Sequence, residues 1–168
     1  EINLAYPFEQ AGAIRNFAPG KPAGVMTYGE IPGIAKPVSR LVMGCDNQPN
    51  LPHAAAVFDD YVSAGGNTFD TAYVYGGGLQ EKLLGQWIKN RGIREEVSVI
   101  AKGAHTPVCT PEWLTKQLEE SLGRLQTPYA DIYMLHRDNL EVPIGEFVEV
   151  LNEHVKAGRI RAFGGSNW

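Results

Sequence analysis

From about residue 40 onward, the hydrophobic pattern alternates between two periods. Short runs of β-branched and aromatic residues recur, and between them apolar residues return every three or four positions. Asn50-Leu51-Pro52 opens a helix that carries Ala55, Phe58 and Val62 on one side, and Gly65-Gly66 ends it. The run "NTFDTA" reads as a strand, followed by Leu79, Leu83, Leu84, Trp87 and Ile88 at helical spacing up to Gly92. "VSVIAK" is the next strand, and Thr110-Pro111-Glu112 supplies an N-cap, a first-turn proline and a first-turn acid to a helix with Leu114, Leu118 and Leu122. "DIYMLH" follows as a strand. Pro143 then begins a helix bearing Phe147, Val148, Leu151 and Val155, and Gly158 closes it before the strand "IRAFGGSN".

Upstream, the texture differs. Residues 1–25 are rich in Pro, Gly and Ala without a sustained period and read as a tail, a linker or an N-terminal extension. From Met26 to Lys36 two short extended pieces are expected around a turn at Pro32-Gly33, leading into a first strand over Arg40 to Gly44. Residues 26–168 therefore form one unit of five strands separated by four helices. A βα series of this kind demands a parallel sheet with helices outside it.

Two architectures satisfy that demand. A doubly wound sheet places its glycine fingerprint in the first strand-to-helix turn, which here reads "GCDNQPN". Gly76 to Gly78 follow a strand but lack the third glycine at the right offset, so they read as a flexible turn. The alternative is an α/β fold of the (β/α)₈ TIM-barrel type, represented by the entry hairpin and about five of the eight βα units. Barrel chemistry gathers at the C-terminal ends of the strands, and polar residues recur at those ends: Asp70, Lys102, His136 and then Ser166-Asn167. Neighbouring strands lie about 4.8 Å apart, so these side chains would converge on one rim. Gly44, Cys45 and Asp46 end the first strand on the same rim and are candidates for cofactor or substrate contact.

Tyr75 lies just beyond Asp70, and this pairing suggests a reaction. A phenol is a reluctant acid at neutral pH, but an ammonium about 4 Å away would favour its ionisation by roughly three pKa units. Lys102 is the expected source of that charge. Asp70 would keep the lysine charged and in place, and His136 could hydrogen-bond a carbonyl oxygen or relay a proton. Such a cluster donates a proton to a bound oxygen, and it reduces a carbonyl if a hydride source lies beside it.

Composition narrows the field further. The 168 residues carry a formal charge of −4 with no acidic or basic block, which disfavours nucleic acid and anionic membrane surfaces as partners. Cys45 and Cys109 form neither a CxxC motif nor a disulfide framework, and a reducing, cytoplasmic setting fits them. No apolar run approaches the roughly 20 residues that span a bilayer. The first residues show no basic-then-apolar signal pattern.

"FDTAYVYGGGLQEKLLG", "VIAKG", "DIYMLHRD" and "IRAFGGSNW" resemble the successive strand-end motifs of the aldo-keto reductase superfamily over nearly all of residues 26–168. The resemblance implies a barrel that transfers a hydride from NADPH, or NADH, to a small aldehyde or ketone without a metal. It implies a catalytic tetrad of Asp70, Tyr75, Lys102 and His136, with Tyr75 as general acid. Tyr75 is preferred to Tyr73 because the family's tyrosine directly precedes glycine. Ser166 and Asn167 would hold the nicotinamide carboxamide, and the hairpin at Met26 to Lys36 would plug the bottom of the barrel. The stretch "GGGLQE" is longer than in many members. The family's last three βα units, with the loops that grip the adenosine phosphate, have no counterpart before Trp168. The expectation is that the remaining barrel residues come from the same or another chain.

Other readings remain open at this level. A Schiff-base lyase would use Lys102 as nucleophile, a metal-dependent hydrolase would need several converging His, Asp or Glu ligands, and a nicotinamide-sensing regulatory subunit would keep the fold with little turnover. His53, His105 and His154 are expected to be solvated. Trp87 and Trp113 are expected to pack helices, and Trp168 to touch the cofactor or pack beside Ser166-Asn167.

Overall fold

The computed structural model describes residues 25–167; most of the expected tail, and Trp168, lie outside them. A two-stranded antiparallel hairpin comes first, β1 (Tyr28–Gly29) against β2 (Val38–Ser39). Its turn includes Pro32-Gly33 as expected, but its second arm lies past Lys36. Five parallel strands follow in consecutive order: β3 (Met43–Gly44), β4 (Thr68–Asp70), β5 (Ser98–Gly103), β6 (Ala130–Leu135) and β7 (Ile160–Gly165). The first of these is shorter than the expected Arg40 to Gly44, because Leu41 spends its carbonyl on the hydroxyls of Tyr61 (2.6 Å) and Ser39 (3.0 Å) rather than on a strand partner.

Helices α1 (Leu51–Ser63), α2 (Leu79–Arg91), α3 (Pro111–Leu125) and α4 (Ile144–Lys156) connect the strands. The Asn50 side chain caps α1 by accepting the His53 N–H, and Thr110 caps α3 by accepting that of Trp113, each with a proline in the first turn. The strictly consecutive order of parallel strands separates the two candidate architectures. A doubly wound sheet reverses direction at a switch point, whereas barrel strands succeed one another around the ring. The chain therefore folds as a partial (β/α)₈ barrel.

The core lies between the sheet and its helices. Phe58 and Trp87 meet Phe69 at ring distances of 5.3 and 5.1 Å, and Trp87 donates its indole N–H to Asp59 at 2.9 Å. On α1 the most buried face is Ala54, Phe58 and Tyr61, one position off the expected Ala55 and Val62, which pack half-buried beside it. The Tyr61 hydroxyl drives this rotation, since it finds partners at Ser39, Leu41 and Thr68. A corresponding shift occurs on α4, which buries Phe147, Leu151 and His154 and leaves Val148 and Val155 exposed. His154, expected in solvent, is buried with its ring between the Thr115 hydroxyl and the Arg159 guanidinium, both at 3.0 Å.

The hairpin lies across the N-terminal ends of the strands. Lys36 pairs with buried Asp131 near the start of β6 at 2.8 Å, and the Gly33 Cα sits against the backbone of Arg161 near the start of β7. This is the plug position that the resemblance implies. Among the described residues, no helix is long and apolar enough to cross a membrane.

Candidate active site

The parallel register aligns the C-terminal ends of the strands. Gly44 pairs with Asp70, Asp70 with Ile100, Lys102 with Met134, and Leu135 with Gly165, so the residues that follow emerge side by side. Lys102 is 5% exposed and donates to Asp70 Oδ1 and, at 3.0 Å, to the Thr71 carbonyl. An ammonium this deeply placed needs both acceptors, because its lost hydration must be replaced.

Beyond β4 the chain is tied back to β5 by the Tyr73 N–H on the Lys102 carbonyl at 2.8 Å. A short 3₁₀ turn, Tyr75–Gly78, then leads into α2. Gly76, Gly77 and Gly78 all have positive φ, at 54°, 62° and 92°. The stretch read as a flexible turn is therefore a specific left-handed path that side chains would resist. It aims the half-buried Tyr75 ring at the rim, where its centroid lies 5.7 Å from that of His136, edge to face, and 5.2 Å from the Lys102 ammonium. Asp70, Tyr75, Lys102 and His136 thus meet at one site.

The electrostatics differ from the expectation in one respect. The Tyr75 pKa is raised rather than lowered, first by burial and then by the negative charges of Asp70 and Asp46, with Arg137 opposing. Lys102 is committed to Asp70, and a paired ammonium projects little net field onto the phenol. Tyr75 is therefore a firmly protonated donor at neutral pH.

His136 is 7% exposed, and its pKa is lowered from 6.5 to about 4, chiefly by burial and then by His105, Lys102 and Arg137. Its Nδ1 is buried without a partner among the described residues. The ring is thus a neutral imidazole able to exchange a hydrogen bond with an incoming oxygen. A histidine depressed in the fold stabilises fully above its unfolded pKa, and that contribution is lost as pH falls from 6.5 toward about 4. Urea midpoints measured across this interval are expected to drop less steeply in His136→Asn than in the parent protein. Parallel pH profiles would refute the assignment; His154, also lowered by burial, contributes the same sign in both proteins.

The remaining rim residues vary in accessibility. Ser166 and Asn167 follow β7; the Asn167 amide donates to the Ser166 hydroxyl at 3.0 Å and to the His136 carbonyl at 3.4 Å. Gly44 and Asp46 are exposed. Cys45 turns inward, fully buried, with its thiol toward the Met43 carbonyl and its pKa pushed up by burial, so only its backbone could face a ligand. His53 is exposed as expected. His105 is not merely solvated, for its ring stands edge to face with His136 at 4.8 Å. The helical pattern gave no sign of it, because the β5–α3 loop has no period. Also unforeseen was Arg124 of α3, which reaches the Tyr73 carbonyl at 3.0 Å; the sequence hint was its i,i+4 spacing from Glu120. Among the described residues, no three His, Cys, Asp or Glu side chains are grouped as metal ligands.

Comparison with known proteins bears on this site. A family model described as "Aldo/keto reductase family" matches residues 41–168. The aldo-keto reductase YhdN of Bacillus subtilis is 36% identical over 138 residues, covering 74% of this chain and 39% of that protein. A putative voltage-gated potassium channel subunit beta of Schizosaccharomyces pombe is 35% identical over 111 residues, covering 61% of this chain and 32% of that protein. In the solved structures, the holo form of aldo-keto reductase AKR11C1 from Bacillus halodurans superposes with a TM-score of 0.75 at 28% identity, over 84% of this chain and 50% of that one. The chain spans less than half the length of the curated relatives it matches.

Proposed function

This chain belongs to the aldo/keto reductase family, and from that premise we propose that it carries the catalytic half of an NADPH-dependent reductase of small aldehydes or ketones. The observation that supports this most is the meeting of the protonated Tyr75 with the neutral His136 and the Lys102–Asp70 pair on one rim. NADPH supplies the hydride to the carbonyl carbon when bound; NADH is the lesser alternative. Tyr75 donates its phenolic proton to the carbonyl oxygen as charge develops there, and a high phenol pKa suits a donor that must stay protonated until that moment. His136 hydrogen-bonds the same oxygen and orients it. Lys102, locked by Asp70 and Thr71, stands 5.2 Å from the Tyr75 ring as part of a neutralised pair, which seats the phenol without drawing its proton off before the substrate oxygen takes it.

The nicotinamide fits the donor set at the end of β7. Ser166 and Asn167 put a hydroxyl and an amide side by side, and the Asn167 carbonyl oxygen is left to accept from a carboxamide. Gly44 and Asp46 would flank it, with the Cys45 backbone. The groups that hold the cofactor's phosphates, and those that select the substrate, belong to barrel residues supplied by the same or another chain. We place the protein in the cytoplasm, where the free thiols of Cys45 and Cys109 would persist.

A second reading is favoured by the similarity to a protein described as a potassium channel beta subunit: a cofactor-sensing regulatory role with little turnover. One assay decides between them. The full-length protein is expected to consume NADPH only when an aromatic aldehyde is added, with one alcohol formed per cofactor oxidised. Cofactor binding without consumption across a panel of aldehydes and ketones would select the regulatory reading. Absence of both binding and consumption would overturn the reductase assignment.

A further inference from the structure

Beneath the Tyr75 turn lies a charged cluster that none of the roles above uses. Glu81, in the first turn of α2, is completely buried and pairs through Oε2 with Arg124 Nη1 of α3 at 3.0 Å. The same Nη1 donates to the Tyr73 carbonyl at 3.0 Å, and Nη2 donates to Glu120 Oε2 at 3.3 Å. The guanidinium stacks 4.3 Å over the Tyr73 ring, whose hydroxyl donates to Glu120 at 2.8 Å. Through Tyr73 and Glu81 this set joins α3 to the segment that precedes Tyr75 and to the helix that follows its turn.

Gly78 shows how tightly the cluster grips that turn. A Cβ built there would lie 2.7 Å from Arg124 Cζ, so the guanidinium occupies the space a side chain would need. On the other flank, Gln80 exchanges hydrogen bonds with the Gln48 backbone at 3.0 and 3.1 Å, tying the turn to the loop after β3. The three left-handed glycines leave the turn with little conformational preference of its own, so its position must come from these neighbours. Burial raises the Glu81 pKa and Arg124 opposes that rise. An apolar pair in the same place would often be no less stable, which leaves geometry as the reason for a charged one.

We propose that Arg124, held between Glu81 and Glu120, is a positioning residue for Tyr75: it clamps Tyr73 and fills the hollow under Gly78, fixing the turn on which the phenol stands. This inference rests on the reductase reading. A displacement of about 1 Å at a reacting group can cost about 100-fold in rate. Arg124→Met is therefore expected to lower kcat by roughly tenfold to 100-fold with the KM for NADPH changed less than about twofold. Arg124→Lys should recover part of the loss, and Glu81→Gln should show a smaller loss of the same kind.

The discriminating experiment is a double-mutant cycle with Tyr75→Phe, read by kcat on an aromatic aldehyde. A residue that works only through the phenol loses its effect once the hydroxyl is gone, so Arg124→Met should add little to Tyr75→Phe. Equal additional losses in both backgrounds would show a general structural effect and overturn the proposal. If Arg124→Met does not fold, Arg124→Lys and Glu81→Gln run the same cycle with the same criterion. An inactive Tyr75→Phe beside an Arg124→Met of unchanged kcat overturns the positioning role alone. A fully active Tyr75→Phe overturns the reductase mechanism and this inference with it.

Discussion

Tyr75→Phe is expected to lower the kcat for carbonyl reduction by about 10²–10⁴-fold, the range over which a positioned general acid contributes. The substitution removes one oxygen and keeps the ring that packs edge to face with His136 and under Lys102. Cofactor affinity and unfolding midpoint should therefore stay within about 1 kcal/mol of the parent protein. The pH profile supplies an independent check. Because burial, Asp70 and Asp46 raise the Tyr75 pKa, kcat should be flat through neutrality and decline only in the alkaline range where the phenol ionises. That alkaline limb should vanish in the variant's residual activity. Retention of parental rates, or an unchanged limb, would assign the proton to another donor.

The Lys102–Asp70 pair gives the second large effect, on stability as well as rate, and the two partners should respond unequally. Lys102 has a side chain 6% exposed, whereas that of Asp70 is 33% exposed. Asp70→Ala leaves a buried ammonium with only the Thr71 carbonyl, and removal of one partner of a buried pair costs about 3–5 kcal/mol. The lower end is expected, since that carbonyl remains and the lost carboxylate was partly hydrated. Lys102→Met leaves a carboxylate that water can reach and fills the channel with an apolar chain of similar length, so its cost should stay near or below about 1 kcal/mol. Both variants should lose most of their turnover, because each dismantles the Lys102–Asp70 pair that stands against the Tyr75 ring. Urea unfolding separates them: equal midpoints, or a larger loss in Lys102→Met, would mean that the ammonium is not the buried member of the pair.

These contrasts show which features could be read from the chain and which could not. The order of elements was legible because periods of two and 3.6 residues are local properties, and because Asn50, Thr110 and the first-turn prolines act within one turn. The rim residues were legible for a similar reason: each ends a strand, and a parallel sheet brings strand ends together whatever the packing above them. Helix faces were less so. On α1 and α4 the buried side was displaced by the polar groups of Tyr61 and His154, whose partners include Leu41 and Thr115, 20 and 39 residues away in the sequence. By hydrophobicity alone such residues belong on the outward face.

Charges were the least legible. Sequence paired Lys102 with Asp70 and still expected the lysine to loosen the proton of the phenol. The pair is present, but it leaves the phenol under the influence of burial and two carboxylates. His105 was silent because it sits on an aperiodic loop, and Arg124 offered only its i,i+4 spacing from Glu120, which gives no sign of its reach to Tyr73. Only contacts across strands and between α2 and α3 revealed them.

By itself the sequence determined a βα series of a recognisable family, the chain order of its strands and the residues at each strand's end, because these follow from short-range periodicity and stereochemistry. The tertiary structure alone decided how the paired lysine acts on the phenol, which helix face turns inward and how the tyrosine turn is held. Those outcomes depend on distances between residues far apart in the chain, and on the water that burial removes from them.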